Sequence, residues 1–219
     1  MCCNFRNKIY FSIIMYKLPY FQEKDPSKVI AFMKQNSFAI ISSNGEPYPI
    51  STQIPLIVEE ENGKILLKGH LMKNTDHHKA FLKNGNVLVL FSGPHCYVSA
   101  SWYDDTQSAS TWNYMTVHAK GLLTFTDDAG TLAAIKAITN QYEAIDSPAS
   151  FQHIPKSYID KLINAIIGFT IEVESIDHVF KLSQNKTTEE QVSIIKKLSA
   201  QEDFNAKAIA NEMQKRILP

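Results

Sequence analysis

Residues 38–69 read FAIISSNGEPYPISTQIPLIVEEENGKILLKG, and the apolar runs and turn signals in this stretch decide the fold. FAIIS (38–42), PISTQIPLIV (49–58) and KILLKG (64–69) are short runs rich in strand-forming residues. Between them lie Asn44-Gly45 and Glu61-Asn62-Gly63, residue types that tolerate the positive φ of tight turns. Spacing this close predicts antiparallel strands joined as a meander.

Upstream, Asp25-Pro26 supplies an N-cap and a first-turn proline, and SKVIAFMKQ continues with apolar residues at helical spacing. Downstream, DHHKAFLK reads as a two-turn helix stopped by Asn84-Gly85, after which NVLVLFS and WNYMTVHAKGLLTFT resume the strand pattern. TLAAIKAITNQYEA and PKSYIDKLINAII read as helices, and GFTIEVESIDHVFKLSQ alternates like one last strand. Thr187 and Glu190 have capping-box spacing before QVSIIKKLSA, and a final helix is predicted to place Phe204, Ala208, Ile209 and Met213 on one face. This order lacks the regular alternation of strand and helix that a parallel sheet needs. The expected class is α+β, mainly antiparallel β: a barrel or curled sheet with flanking helices and a C-terminal helical pair.

The chain has 219 residues, 44% hydrophobic and 20% charged, which excludes collagenous, coiled-coil and wholly disordered classes. Its 22 basic and 22 acidic residues leave no overall field toward nucleic acid or an anionic membrane. Three cysteines without a CxxC spacing indicate neither a disulfide framework nor a zinc ribbon, so the thiols read as reduced and the location as cytoplasmic. No run of about 20 apolar residues occurs, so no membrane span is expected. Residues 1–14 read as an extension or an early start ahead of the domain opening at Met15.

Chemistry concentrates between residues 64 and 126. Six lysines (64, 68, 73, 79, 83 and 120) face three aspartates (76, 104 and 105), and five of the seven histidines (70, 77, 78, 95 and 118) lie there. An anion such as a phosphate needs fixed cations and N–H donors, and this stretch can supply them, although a solvated lysine face would look the same. Tyr97, Trp102, Tyr103, Trp112 and Tyr114 are interleaved with Ser99, Ser101, Thr111 and Asn113. On alternating strands such residues can offer an aromatic surface beside hydrogen-bonding groups, suited to a flat, polar-edged ring system or, equally, to a barrel core. The histidines lack metal-ligand spacing, and no GxSxG, GxGxxG or P-loop is present. Cys96 follows His95, but strand neighbours point to opposite faces, so Cys96 reads as structural.

Four blocks, MYKLPYF (15–21), GPHCYVSASWY (93–103), STWNYMTVHAKG (110–121) and GFTIEVESIDHVFKLSQNK (168–186), resemble in order and spacing the PaiB family of FMN-binding negative transcriptional regulators. The resemblance implies a split β-barrel over residues 15–186, C-terminal helices over 187–219 packed on the barrel or a partner, a homodimer, and FMN near the subunit interface. It assigns His70, Lys73, Asn74, Tyr97, Ser99, Trp102, Trp112, Asn113, Tyr114, Lys181, Ser183, Gln184 and Asn185 to the cofactor. One block departs from the pattern: Gly69-His70 is followed by Leu71, Met72, Lys73, Asn74 where the family reads Ala-Arg-Ala-Asn. Lys73 then fills the arginine's place, with charge but without the bidentate fork. Gene repression is the family-level output. DNA contact is weighed against by the terminal helices, whose five basic and five acidic residues from Thr188 to Pro219 cancel. An FMN-dependent oxidoreductase on the same barrel is the alternative.

Overall fold

The computed structural model describes residues 18–103 and 108–217; the extension at 1–14 and the first residues of the opening block lie outside these. Helix α1 (Pro26–Gln35) is capped by the Asp25 carboxylate, which accepts from Ser27 N. It is followed by β1 (Phe38–Ser43), β2 (Ile50–Pro55), β3 (Ile57–Glu61) and β4 (Lys64–Met72). Next come α2 (Asp76–Lys83), β5 (Asn86–Val98), β6 (Thr111–Phe125), α3 (Asp128–Tyr142), α4 (Lys156–Ala165) and β7 (Ile166–Lys181). Helices α5 (Thr188–Ser199) and α6 (Phe204–Ile217) complete the chain.

All strand pairs are antiparallel, in the order β2-β1-β5-β6-β7-β4-β3. This corrects the simple meander: the hairpins β1–β2 and β3–β4 form, but β2 and β3 do not pair with each other; instead β1 takes β5 and β4 takes β7 as the second neighbour. The run PISTQIPLIV is also two strands. Pro55 ends β2 and has no N–H to continue a ladder, Leu56 turns inward at 1% exposure with its N–H on Ser37 O, and β3 begins at Ile57. Because β2 and β3 are the two edges of the sheet, one residue ties the edges together and the sheet must curl. The product is a split barrel, as the α+β reading expected.

A single core fills the barrel: Ile41, Leu67, Val89, Phe91, Val117, Phe169 and Ile171 are each at most 1% exposed. Helices α5 and α6 join it through Ile194, Leu198, Ala206, Ile209 and Met213. Phe204, predicted on the buried face, is 89% exposed, and the face that packs begins at Ala206 instead. The capping box predicted at Thr187 and Glu190 is present in both directions.

Two bulges set which side chains leave the core. Between Ser92 and His95, Gly93 and Pro94 oppose the single residue Met115, so inward positions change from Val87, Val89 and Phe91 to Cys96 and Val98. Proline is tolerated mid-sheet only at such a point. Gly93 is required there too, since a Cβ would lie 2.5 Å from the Phe32 ring. The consequence is that His95 and Tyr97 face outward.

Candidate functional site

Outside the barrel, Tyr97 on β5 stands directly opposite Trp112 on β6, with ring centroids 6.0 Å apart at 71°. The side chains are 50% and 53% exposed, a large uncovered aromatic area for one small surface. The His95 ring lies 6.2 Å from Trp112 and extends the shelf. Ser99, Trp102 and, from the α5–α6 connection and the start of α6, Gln201, Asp203 and Asn205 enclose a cavity of about 380 Å³ above it. Ser99 is fixed by its hydroxyl, which accepts from Ser101 N and pairs with Ser101 Oγ. Beneath the shelf, burial pushes the Cys96 thiol up to about 12, so it stays protonated and serves as core.

Of the thirteen residues assigned to the cofactor, four (Tyr97, Ser99, Trp102 and Trp112) line this cavity. Tyr114 is two positions along β6 on the same face, opposite Lys181 of β7. The Lys181 ammonium donates to Thr111 Oγ1 and lies 5.8 Å from the Phe21 ring centroid, and burial lowers its pKa. Asn113 and Ser183 are internal, 0% and 3% exposed, and bonded to each other. Gln184 folds back on its own turn, accepting from Leu182 N and donating to Phe180 O. Asn185 is exposed.

His70, Lys73 and Asn74 are elsewhere. His70 pairs with Gly168 at the start of β7, close to where Phe169 pairs with Phe125 at the end of β6. Trp112 lies at the opposite end of β6, so at about 3.3 Å per residue roughly 40 Å of strand separates the two groups. The Lys73 ammonium donates to Ile163 O near the C-terminus of α4, at 2.8 Å, and its backbone N–H donates to Ala165 O. Asn74 takes the left-handed conformation (φ 65°), and its N–H donates to His78 Nδ1. That acceptor role fits a neutral imidazole, and burial lowers the His78 pKa, assisted by neighbouring cations. Thr75 caps α2 by accepting from His78 N. His70 Nδ1 and Thr126 Oγ1 are the two buried side-chain polar atoms without a hydrogen-bond partner among the described residues. Both adjoin Gly168, where a Cβ would come within 2.6 Å of the Thr126 hydroxyl.

The two groups have complementary chemistry. The shelf offers aromatic faces and polar edges suited to a flat ring, but its cavity is lined by Asp203 and by no lysine or arginine. The turn after β4 offers an ammonium and a helix N-terminus, which suit an anion, and His70, whose pKa burial lowers, lies just before it on β4. Sequence reasoning missed His95, although its i, i+2 relation to Tyr97 on a strand could have found it. It also missed Gln201, Asp203 and Asn205, which reach the shelf only through helix packing.

A family model described as "Putative FMN-binding domain" matches residues 15–175. The Bacillus subtilis "Protease synthase and sporulation protein PAI 2" is 29% identical over 204 residues, covering 93% of this chain and 98% of that protein. Among solved structures, the "FAD and Heme binding protein" of Mycobacterium smegmatis is similar with a TM-score of 0.58 at 12% identity, covering 79% of each chain. A flavocytochrome of Azotobacter vinelandii has a TM-score of 0.57 at 13% identity, covering 74% of this chain and 70% of that one. At such identities these two structures bear on the fold alone. The match over most of the chain, together with the near-full-length relative, shows that the protein belongs to the FMN-binding domain family and is PaiB-like, as its sequence blocks indicated.

Proposed function

We propose that this protein is a homodimeric FMN-binding regulator whose two flavin sites are each shared between protomers. The Tyr97–Trp112 shelf of one protomer would hold the ring, and the His70–Lys73–Asn74 turn of the second would hold the phosphate. The observation that carries this reading is the separation of the two groups to opposite ends of β6: the cavity over the ring surface is lined by no lysine or arginine, the nearby Lys181 ammonium being bonded to Thr111, while the Lys73 turn lies at the far end of the strand. A two-fold dimer brings unlike ends together, since residue i of one copy meets residue j of the other.

Support for the dimer comes from the outer face of the sheet. Ile40, Leu90 and His118 form one cross-strand row and Ser42, Leu88 and Lys120 the next. Phe38 and Leu122, at 63% and 47% exposure, add apolar area. Within the site, Tyr97 and Trp112 would stack on the ring, Ser99 and Asn205 would meet its polar edge, and Lys73 would share its ammonium between Ile163 O and the phosphate. When bound, FMN supplies redox chemistry at its ring. The regulatory output follows the resembled family. The terminal helices that would otherwise be candidates for a DNA groove are balanced in charge and committed to the core.

The test is the visible spectrum of the purified protein, followed by flavin titration. A charge-assisted hydrogen bond is worth about 1.5–3 kcal/mol, so Lys73→Ala should weaken FMN roughly tenfold or more and leave riboflavin, which lacks the phosphate, nearly unchanged. Equal loss of both ligands would assign Lys73 to holding α4 alone. Turnover of NADPH by the flavin-loaded protein would replace the regulatory output with the oxidoreductase one.

A further inference from the structure

Apart from the aromatic shelf, a cleft of about 470 Å³ lies between α1 and α6. The two helices line it with matching patterns: positions 28, 31, 32 and 35 of α1 with its C-cap Asn36, and positions 208, 211, 212, 215 and 216 of α6, are each one helical stripe. Its floor is apolar. Phe32 and Phe180 meet with centroids 5.0 Å apart, and Met115 and the bulge residue Pro94 complete the surface. The other bulge residue, Gly93, lets Phe32 seat against the strand.

The rim is polar and mostly cationic: Lys28, Lys215 and Arg216 line the cleft against one carboxylate, Glu212. Arg216 is satisfied by Glu212 and by Glu23, at 2.7 and 3.3 Å, with its guanidinium carbon 5.8 Å from the Phe180 ring centroid. Lys215 pairs with the same Glu212 in an exposed, hence weak, contact. Lys28 is exposed; the Asp25 carboxylate nearby is held below its usual range by hydrogen bonds from Ser27 and, more weakly, by the Lys28 charge. The amides of Gln35 and Asn211 likewise line the cleft without a side-chain hydrogen bond among the described residues.

From this arrangement we propose a second ligand site, distinct from the flavin site: the α1–α6 cleft binds a small organic monoanion with an aromatic or branched apolar body. The body lies along Ala31, Ala208 and Pro94 and the edges of the otherwise buried Phe32, Phe180 and Met115, and the carboxylate pairs with Lys28, with Gln35 and Asn211 donating alongside. The size of the cleft suits a small molecule.

Isothermal titration of the FMN-saturated full chain with 4-phenylbutyrate, 4-phenylbutanol and 4-phenylbutylamine tests this, because the three share a body and differ in head charge. The carboxylate should bind at least about tenfold more tightly than the alcohol, and the amine more weakly still. Lys28→Glu should cost the carboxylate at least about tenfold. Ala31→Trp, at an exposed position on the cleft wall, should abolish binding, with FMN affinity unchanged in both variants. Equal affinities for the three heads, no carboxylate binding at millimolar concentration, or full binding by Ala31→Trp would each overturn the assignment.

Discussion

Asn113 Nδ2 donates to Ser183 Oγ at 2.9 Å, joining the start of β6 to the loop that leaves β7. The hydroxyl returns the contact to Asn113 Oδ1 at 3.2 Å, and the amide also reaches the Met213 sulfur of α6 at 3.6 Å. Ser183 holds φ at 60°, an uncommon conformation for a residue other than glycine, so the pair stabilises a strained exit from the sheet. One polar knot thus fastens β6, β7 and α6 directly behind the aromatic shelf.

Asn113→Ala leaves the buried Ser183 hydroxyl without its partner and opens space in a site with no solvent access. The expected loss is about 1–3 kcal/mol of stability, read by denaturant unfolding. FMN affinity at temperatures where the variant remains folded should change little, because the amide faces the core. A large loss of flavin binding with unchanged stability would place Asn113 against the ligand.

A cross-strand glycine gives a sharper structural test. A Cβ on Gly121 would lie 2.2 Å from the Glu172 backbone oxygen at the second bulge, and backbone cannot move aside as a side chain can. Gly121→Ala should cost about 1–3 kcal/mol or more in the same assay, against the few tenths typical of a surface change.

Much of this was legible in the chain. The turn at Asn62-Gly63, the end of α2 before Asn84-Gly85, the caps at Asp25 and Thr187 and the limits of most helices follow from local chemistry, which the tertiary fold did not override. Strand order did not, because β1–β5 and β4–β7 pairing is decided by non-local packing. The break at Leu56 was hidden because a continuous apolar run looks alike in one strand or two. Phe204 failed for a related reason: helical spacing identifies a stripe, while the side that is buried depends on the neighbour it meets. Among the candidate site residues, the types were readable, but their division into two groups was not, since it depends on which end of β6 each element joins.

Burial holds the pKa of His70, His78 and His118 below the ordinary value of 6.5. A histidine kept neutral in the fold binds fewer protons than in the unfolded chain, so its contribution to stability is present above pH 6.5 and is lost as pH falls below it. Stability should therefore decline between neutral pH and pH 5, and His70→Gln should flatten part of that decline. A stability curve that rises on acidification over this range would contradict the burial argument.

The outer row of β1, β5 and β6 predicts how the protein assembles. Leu90→Glu places a charge opposite Ile40 and His118 on the exposed side of the sheet. Sedimentation should show the wild type as a dimer and this variant as a folded monomer with weakened FMN binding. A wild type that stays monomeric at all concentrations would remove the shared site.

The shared site itself is tested most directly by co-expressing two differently tagged defective chains, Trp112→Ala and Lys73→Ala, and measuring bound FMN. Each variant alone should bind FMN poorly. In a mixed dimer, one site combines both defects while the other joins an intact shelf to an intact Lys73 turn. Purification through both tags should therefore recover about half the FMN stoichiometry of the wild-type dimer. Recovery no greater than that of the single variants would mean that each protomer builds its flavin site alone.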